Sequence, residues 1–179
     1  MEWDYEFDVV VVGSGNGALT AALCSHDGGA KTLVIEKSSQ FGGTSATSGG
    51  GVWIPNNRYA KAENVDDSDQ DARNYINSVS PEGMIKDELI ETYISEGPRM
   101  IDYLHENSQV KYRNLAHYPD YFPDNTGGKE GNRSMEPEPI FGTELGDDLG
   151  KLREQHPQTA FTMGPINMNF TQVEGQLLL

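Results

Sequence analysis

The chain has 179 residues, and its 28 Asp and Glu side chains against 13 Lys and Arg side chains give a formal net charge of −15 at pH 7. Such acidity disfavours nucleic acid or anionic membranes as partners. The apolar runs are far shorter than the roughly 20 residues of a membrane-spanning helix. We therefore expect a soluble protein with no transmembrane segment and no nucleic-acid partner.

The N-terminus and the cysteine content indicate a cytoplasmic location. Residues 1–8 are acidic and lack the apolar stretch of a secretory signal. Cys24 is the sole cysteine, which excludes an intrachain disulfide or a cysteine-rich zinc site. The sequence therefore fits a reducing compartment.

The first part of the chain predicts a strand, a helix and a second strand. Residues 7–12 form an apolar, β-branched run typical of a parallel strand that is buried on both faces. Residues 18–24 favour a helix that Gly28 and Gly29 end, and residues 32–35 favour a second strand. Together these elements predict a βαβ unit.

Helical spacing dominates the next part. Ser68 begins a capping-box pattern that predicts a helix through Val79. Ser80 and Pro81 suit the start of another helix, which we expect Gly97-Pro98 to interrupt.

Three segments follow from these changes in composition. We predict a βαβ cofactor-binding segment at residues 1–60, a helical segment at 61–117 and an irregular, Pro- and Gly-rich segment at 118–179. Irregular segments of this length are usually functional or disordered.

The turn after the first predicted strand matches G-x-G-x-x-G/A, with Gly13, Gly15 and Ala18 in the three key positions. Gly13 permits the tight turn, Gly15 lets the backbone approach a pyrophosphate, and Ala18 keeps the helix close to the strand. The helix N-terminus then offers N–H groups and partial positive charge to the phosphates.

Glu36 closes the second strand at the place where a carboxylate binds an adenosine ribose, which disfavours NADP. The turn alone does not separate FAD from NAD. The glycine-, serine- and threonine-rich run at residues 42–51 offers further backbone N–H groups and small hydroxyls to a ligand.

At this point the sequence resembles the FAD-binding N-terminus of the fumarate reductase/succinate dehydrogenase flavoprotein superfamily. The motifs Tyr118-Pro119-Asp120-Tyr121 and Arg133-Ser134-Met135-Glu136-Pro137 narrow the resemblance to the 3-ketosteroid dehydrogenase branch. It implies an α/β, Rossmann-type FAD domain with additional helices, incomplete at its C-terminus. It assigns FAD binding to Gly13, Ser14, Gly15, Asn16, Gly17, Ala18, Glu36, Lys37, Gly42, Gly43, Thr44, Ser45, Ser48, Gly49 and Gly50.

The resemblance also implies a reaction. A 3-ketosteroid loses two hydrogens from adjacent ring carbons, a hydride to the flavin N5 and a proton to a tyrosine base, and an electron acceptor reoxidises the flavin. Tyr121 aligns with an active-site tyrosine that assists the proton-abstracting residue. No histidine lies between His26 and His105 to tether the flavin, so we expect FAD to be non-covalent.

Members of this branch are several times longer, and the chain ends in Gln176-Leu177-Leu178-Leu179, an apolar stop. We therefore expect an N-terminal portion that is inactive alone. Two alternatives remain open: a fumarate reductase-like flavoprotein that acts on a dicarboxylate, and a truncated, non-catalytic nucleotide-binding fragment.

Overall fold

A computed structural model of the protein describes residues 3–154 and the backbone of residues 160–163 and 166–169. The chain divides into two compact units, one of Met1–Gly50 with Pro139–Leu179 and one of Gly51–Glu138. The three segments expected from composition stay a prediction. The C-terminal residues 176–179 lie outside the described residues.

The first unit contains the βαβ elements. They are β1 (Val9–Val12), α1 (Asn16–Asp27) and β2 (Thr32–Ile35). β1 and β2 pair in parallel register, and α1 packs on both strands. The Gly28 N–H closes the helix by donating to the Cys24 carbonyl at 3.0 Å. The βαβ unit predicted from the sequence is confirmed.

The expectation that β1 is buried on both faces is wrong. Val10 and Val12 are 51% and 79% exposed, whereas Val9 and Val11 are half-buried. Since successive side chains of a strand point to opposite faces, Val9 and Val11 lie on the face that packs against α1. The apolar run predicts a strand, but it does not reveal whether both faces have a covering layer within the described residues.

The rest of the first unit consists of loops and short elements. A 3₁₀ turn lies at Ser45–Thr47, and a longer 3₁₀ segment at Gly142–Lys151 is broken at Gly146. Phe41 and Leu152 form a single parallel bridge. The strands β6 (Ala160–Met163) and β7 (Ile166–Asn169) form an antiparallel pair.

The second unit packs helices on a small antiparallel sheet. Its elements are β3 (Val52–Trp53), α2 (Arg58–Ala62), α3 (Asp69–Val79), α4 (Asp87–Asn107), β4 (Tyr112–Asn114) and β5 (Ser134–Pro137). The strand order is β3-β5-β4. One core cluster contains Ile54, Ile101, Tyr112 and Met135. A second cluster, with Ala72, Ile90 and Ile94, joins α3 to α4.

The starts of the two long helices differ in how well the sequence predicts them. Ser68 caps α3 as expected, because its hydroxyl accepts the Asp71 N–H at 3.0 Å. The predicted start at Ser80-Pro81 is wrong, because α4 begins only at Asp87. Pro81 instead starts a turn, and Gly83, at φ +72°, does not continue it into a helix.

The predicted interruption at Gly97-Pro98 is also wrong, since α4 runs through it. Its buried side is continuous, with Ile90, Ile94, Gly97, Ile101 and Leu104 at alternating spacings of four and three residues. A proline inside a helix costs about 3 kcal/mol, whereas each buried Ile or Leu contributes about 1.5–3 kcal/mol. Packing beyond the proline therefore outweighs its cost.

Candidate cofactor site

The glycine turn joins β1 to α1 in the conformation that the motif requires. Gly13 has φ +98°, a left-handed value that glycine adopts without strain, and its N–H donates to the Ile35 carbonyl at 2.7 Å. Gly15 is the N-cap of α1, with no side-chain hydrogen bond to the helix. The turn therefore starts the helix without a capping side chain of its own.

The first turn of α1 also lacks an anion from the chain. It contains no acidic residue, although α3 begins with Asp69 and Asp71, and α4 begins with Asp87 and Glu88. In a chain with a net charge of −15, this helix N-terminus therefore has no acidic residue of its own first turn to offset its partial positive charge. Its local chemistry suits a bound pyrophosphate.

Ser14 ties the turn to two other segments. It is 3% exposed, its hydroxyl donates to a Glu36 carboxylate oxygen at 2.5 Å, and its oxygen accepts the Gly42 N–H at 2.9 Å. Sequence reasoning placed Ser14 in the motif but missed this connecting role, because its partners lie 22 and 28 residues away.

Glu36 presents an ionised carboxylate at the end of β2. The Ser14 hydroxyl, followed by the Ser38 N–H at 2.9 Å, lowers the pKa of Glu36 below its usual value. Because its pKa is lowered, the carboxylate is charged at neutral pH, and each of its oxygens has a further lone pair that can accept a hydrogen bond. Lys37 beside it is exposed.

The second glycine-rich loop lies directly against the turn. A Cβ on Gly43 would be 3.6 Å from the Gly15 Cα, and the Ser45 hydroxyl oxygen accepts the Asn16 N–H at 3.0 Å. Gly42, Gly43 and Gly50 all have positive φ. Residues 13–18, 36 and 42–45 therefore come together as the sequence predicts.

The remaining predicted residues of this loop are held locally. Thr44 and Ser45 offer carbonyls that accept the hydroxyls of Thr47 and Ser48, each at 2.9 Å. The Ser48 hydroxyl oxygen accepts the Gly50 N–H at 3.1 Å. Ser48, Gly49 and Gly50 thus continue the loop, and their role toward a ligand stays a prediction.

Tyr121 belongs to the second unit and is 83% exposed. The preceding Asp120 is buried, in contact with Arg133 and Trp53. Sequence reasoning quoted Arg133 only as part of a motif and assigned it no contact. No local signal could have paired it with Asp67, which lies 66 residues away.

The described residues were also compared with the requirements of a metal site and of a membrane-spanning helix. There, no group of His, Cys, Asp and Glu side chains could hold a metal ion. None of the helices found there is long and apolar enough to cross a membrane.

The glycine turn, the carboxylate and the second glycine loop have the arrangement typical of a dinucleotide-binding βαβ unit. Residues 8–171 match the family described as FAD binding domain. The chain therefore belongs to the FAD-binding domain family, and its cofactor is FAD.

Named relatives refine this assignment. The chain is 38% identical over 168 residues to a 3-oxosteroid 1-dehydrogenase of Mycolicibacterium smegmatis, covering 94% of this chain and 29% of the relative. It is also 38% identical over 157 residues to a 4-oxocyclohexanecarboxylate 2-dehydrogenase of Sinomonas cyclohexanicum, covering 88% of this chain and 27% of that enzyme.

A solved structure of a ketosteroid dehydrogenase is also similar to this chain. The 3-ketosteroid Δ1-dehydrogenase of Sterolibacterium denitrificans, in complex with 1,4-androstadiene-3,17-dione, matches with a TM-score of 0.85 and 38% identity. The match covers 96% of this chain and 30% of that one. The resemblance to 3-ketosteroid dehydrogenases is confirmed, and the chain spans less than a third of these relatives.

Proposed function

We propose that the protein containing this chain is an FAD-dependent dehydrogenase that removes two hydrogens from adjacent ring carbons of a 3-ketosteroid. The observation that carries the proposal is the similarity to the Sterolibacterium denitrificans enzyme, with 38% identity across 96% of this chain. The dicarboxylate alternative is not better supported.

In this proposal the first unit binds the cofactor. The N–H groups of the turn and of the α1 N-terminus bind the pyrophosphate, and the Glu36 carboxylate accepts hydrogen bonds from a ribose. The loop at residues 42–50 adds backbone N–H groups and hydroxyls. We propose that FAD is held without a covalent bond; when bound, it supplies the acceptor for a hydride from the substrate.

In this proposal Tyr121 assists the proton transfer. A phenol hydroxyl can donate and accept a hydrogen bond, so it can stabilise the group that takes the proton. The exposed side chain of Tyr121 leaves its hydroxyl available to a substrate. General acid–base groups contribute about 10²- to 10⁴-fold to a rate.

A cyclohexanone carboxylate is the second candidate substrate, since the Sinomonas cyclohexanicum enzyme is equally identical to this chain. Both substrate classes place a ketone in a six-membered ring, so the same oxidation applies to both. They differ in size and in charge. Activity toward each therefore distinguishes them.

We also propose a reducing, cytoplasmic location and reoxidation by a separate electron acceptor. The location rests on Cys24 being the sole cysteine of the sequence. A reduced flavin must pass its electrons on before it can react again.

The test uses the complete protein that contains this chain, purified with FAD. Under anaerobic conditions, 4-androstene-3,17-dione should bleach the flavin absorbance and gain a ring double bond, whereas 4-oxocyclohexanecarboxylate should react much more slowly. Faster reduction by the carboxylate would favour the second candidate. Reduction by neither would overturn the proposal.

A further inference from the structure

Arg133 is a charged residue that is almost completely buried, at 1% exposed. Its Nη2 and Nε donate to the two carboxylate oxygens of Asp67 at 2.7 and 3.1 Å. Its Nη1 donates to Asp120 at 2.8 Å and to the Gly127 carbonyl at 2.9 Å. We call Asp67, Arg133 and Asp120 the buried triad.

Aromatic rings flank the guanidinium. Its central carbon lies 5.4 Å from the ring centroid of Trp53 and 5.8 Å from that of Tyr75, distances that allow cation–π attraction. The Trp53 indole N–H donates to the second oxygen of Asp120 at 2.6 Å. Burial lowers the pKa of Arg133, but the hydrogen bonds and charges of Asp67 and Asp120 more than offset this effect.

The triad closes the loop that contains Tyr121. The Asp120 N–H donates to the Lys129 carbonyl at 2.9 Å, and the Lys129 N–H donates back to the Asp120 carboxylate at 3.0 Å. The Phe122 N–H donates to the Tyr75 hydroxyl at 3.3 Å. Both ends of the loop are therefore fixed to the same buried cluster.

Glycines let this loop pack more closely than other residues would. A Cβ on Gly127 would lie 2.2 Å from the Asp71 carbonyl oxygen, and one on Gly128 would lie 2.3 Å from the Pro123 carbonyl oxygen. Neither distance is compatible with a side chain. The loop backbone is confined, although its composition resembles that of a flexible segment.

Two aromatic side chains nevertheless point outward from this confined loop. Tyr121 is 83% exposed and Phe122 is 58% exposed. Buried ion pairs are weak contributors to stability, because desolvation offsets most of their attraction. The buried triad contributes little to stability and lies directly beside two exposed rings. This combination suggests that the triad holds the loop backbone, and with it the two rings, in one orientation.

We propose that the buried triad is a positioning device, which fixes the orientation of Tyr121 and Phe122 toward the ring system of the substrate. This inference rests on the proposed function. The triad itself makes no contact with substrate in this proposal; it acts through the loop. The alternative is that the triad only braces the second unit.

The test compares Asp120→Asn, Arg133→Lys and Glu96→Gln in the complete FAD-loaded protein. Asparagine keeps the shape of Asp120 and removes its charge, and lysine keeps the charge of Arg133 but not its fork of donors. Glu96 forms an exposed pair with Arg99 on α4, so its variant is the matched control.

The first measurement is hydrogen exchange at the amides of Phe122 and Gly128, which bond to groups outside the triad. In Asp120→Asn and Arg133→Lys, these amides should exchange at least tenfold faster than in the wild type. Glu96→Gln should leave them unchanged, and FAD content should stay the same in all three variants. Wild-type exchange in both triad variants would overturn the proposal, as would global loss of the fold in both.

The second measurement is anaerobic flavin reduction at saturating steroid. Misplacing a reacting group by about 1 Å can cost 10²-fold, so Asp120→Asn should slow reduction by about 10- to 100-fold. In a Tyr121→Phe background, Asp120→Asn should add little further loss. A fully additive loss would contradict positioning through Tyr121. If the steroid does not reduce the flavin of the wild-type protein, the proposed function is overturned instead. The hydrogen-exchange data would then still show whether the triad holds the loop.

Discussion

The variant Gly15→Ala tests whether glycine at this position is required for FAD binding or for folding. Gly15 has φ −73°, which any residue adopts. An added Cβ would lie 3.4 Å from the Ser45 hydroxyl oxygen, an ordinary contact distance. The protein itself therefore leaves room for alanine at this position.

The expected change in stability is small. Alanine is a poorer N-cap than glycine, at a cost below about 1 kcal/mol. Reduced freedom of the unfolded chain contributes about 0.4–1 kcal/mol in the opposite direction. The free energy of unfolding should therefore change by less than about 1 kcal/mol.

FAD binding should respond differently, because the new methyl group occupies the space beside the N–H groups that we propose bind the pyrophosphate. We expect the Kd for FAD to rise at least tenfold, which corresponds to about 1.4 kcal/mol, and to rise further in Gly15→Val. Gly150→Ala is the matched control, since nothing lies within 4 Å of its added Cβ.

The assay is a titration of the apoprotein with FAD, followed by the quenching of flavin fluorescence, with a thermal melt of each variant. An unchanged Kd in both Gly15 variants would refute the assignment of the turn to the pyrophosphate. If the Kd for FAD rises only in variants that also lose thermal stability, glycine is required for folding and not for FAD binding.

Three further outcomes are expected. Ser14→Ala should destabilise the protein by about 1–3 kcal/mol at pH 7, because it leaves the buried Gly42 N–H without an acceptor. Since the folded-state pKa of Glu36 is lowered, its contribution to stability is present above the unfolded pKa of about 4.3 and is lost as the pH falls through the folded value. The difference in free energy of unfolding between the wild type and Ser14→Ala, measured by urea unfolding, should therefore become smaller below about pH 4. A difference that does not change with pH would contradict the Ser14–Glu36 contact. Tyr121→Phe should slow anaerobic flavin reduction by about 10²- to 10⁴-fold with unchanged FAD content, and a wild-type rate would return Tyr121 to a structural role. The 179-residue chain expressed alone should lack dehydrogenase activity and aggregate, because α4 exposes Leu89 and Tyr93 by 58% and 42%; a cooperative melt that FAD raises, with steroid-dependent turnover, would contradict this.

The arrangement of the candidate cofactor site could be predicted because its signals are local. The turn from Gly13 to Ala18 follows a β-branched strand directly, and Glu36 closes the next strand at the expected spacing. Each of these features depends on backbone conformation within a few residues. The contacts of Ser14 with Glu36 and Gly42 were not predicted, because a motif does not show which distant groups a small hydroxyl contacts.

The second unit was predicted less well, because distant contacts decide its structure. Pro98 stays inside α4 since the helix face around it is buried by other elements. The side chain of Arg133 finds its carboxylate partners 13 and 66 residues away. Periodicity describes one helix at a time, so neither outcome could follow from it.

The pairing of β3 with β5 has a consequence for how the chain is assembled. These strands open and close the second unit, and they are neighbours, with Val52 opposite Met135. The chain therefore enters and leaves the second unit within a few residues of two neighbouring paired strands, whose spacing is near 5 Å. A segment with adjacent ends behaves as an insertion between Gly50 and Pro139. Such an insertion is replaceable by a short connection or by a segment of different size, while the βαβ unit that holds the cofactor keeps its own continuous sequence.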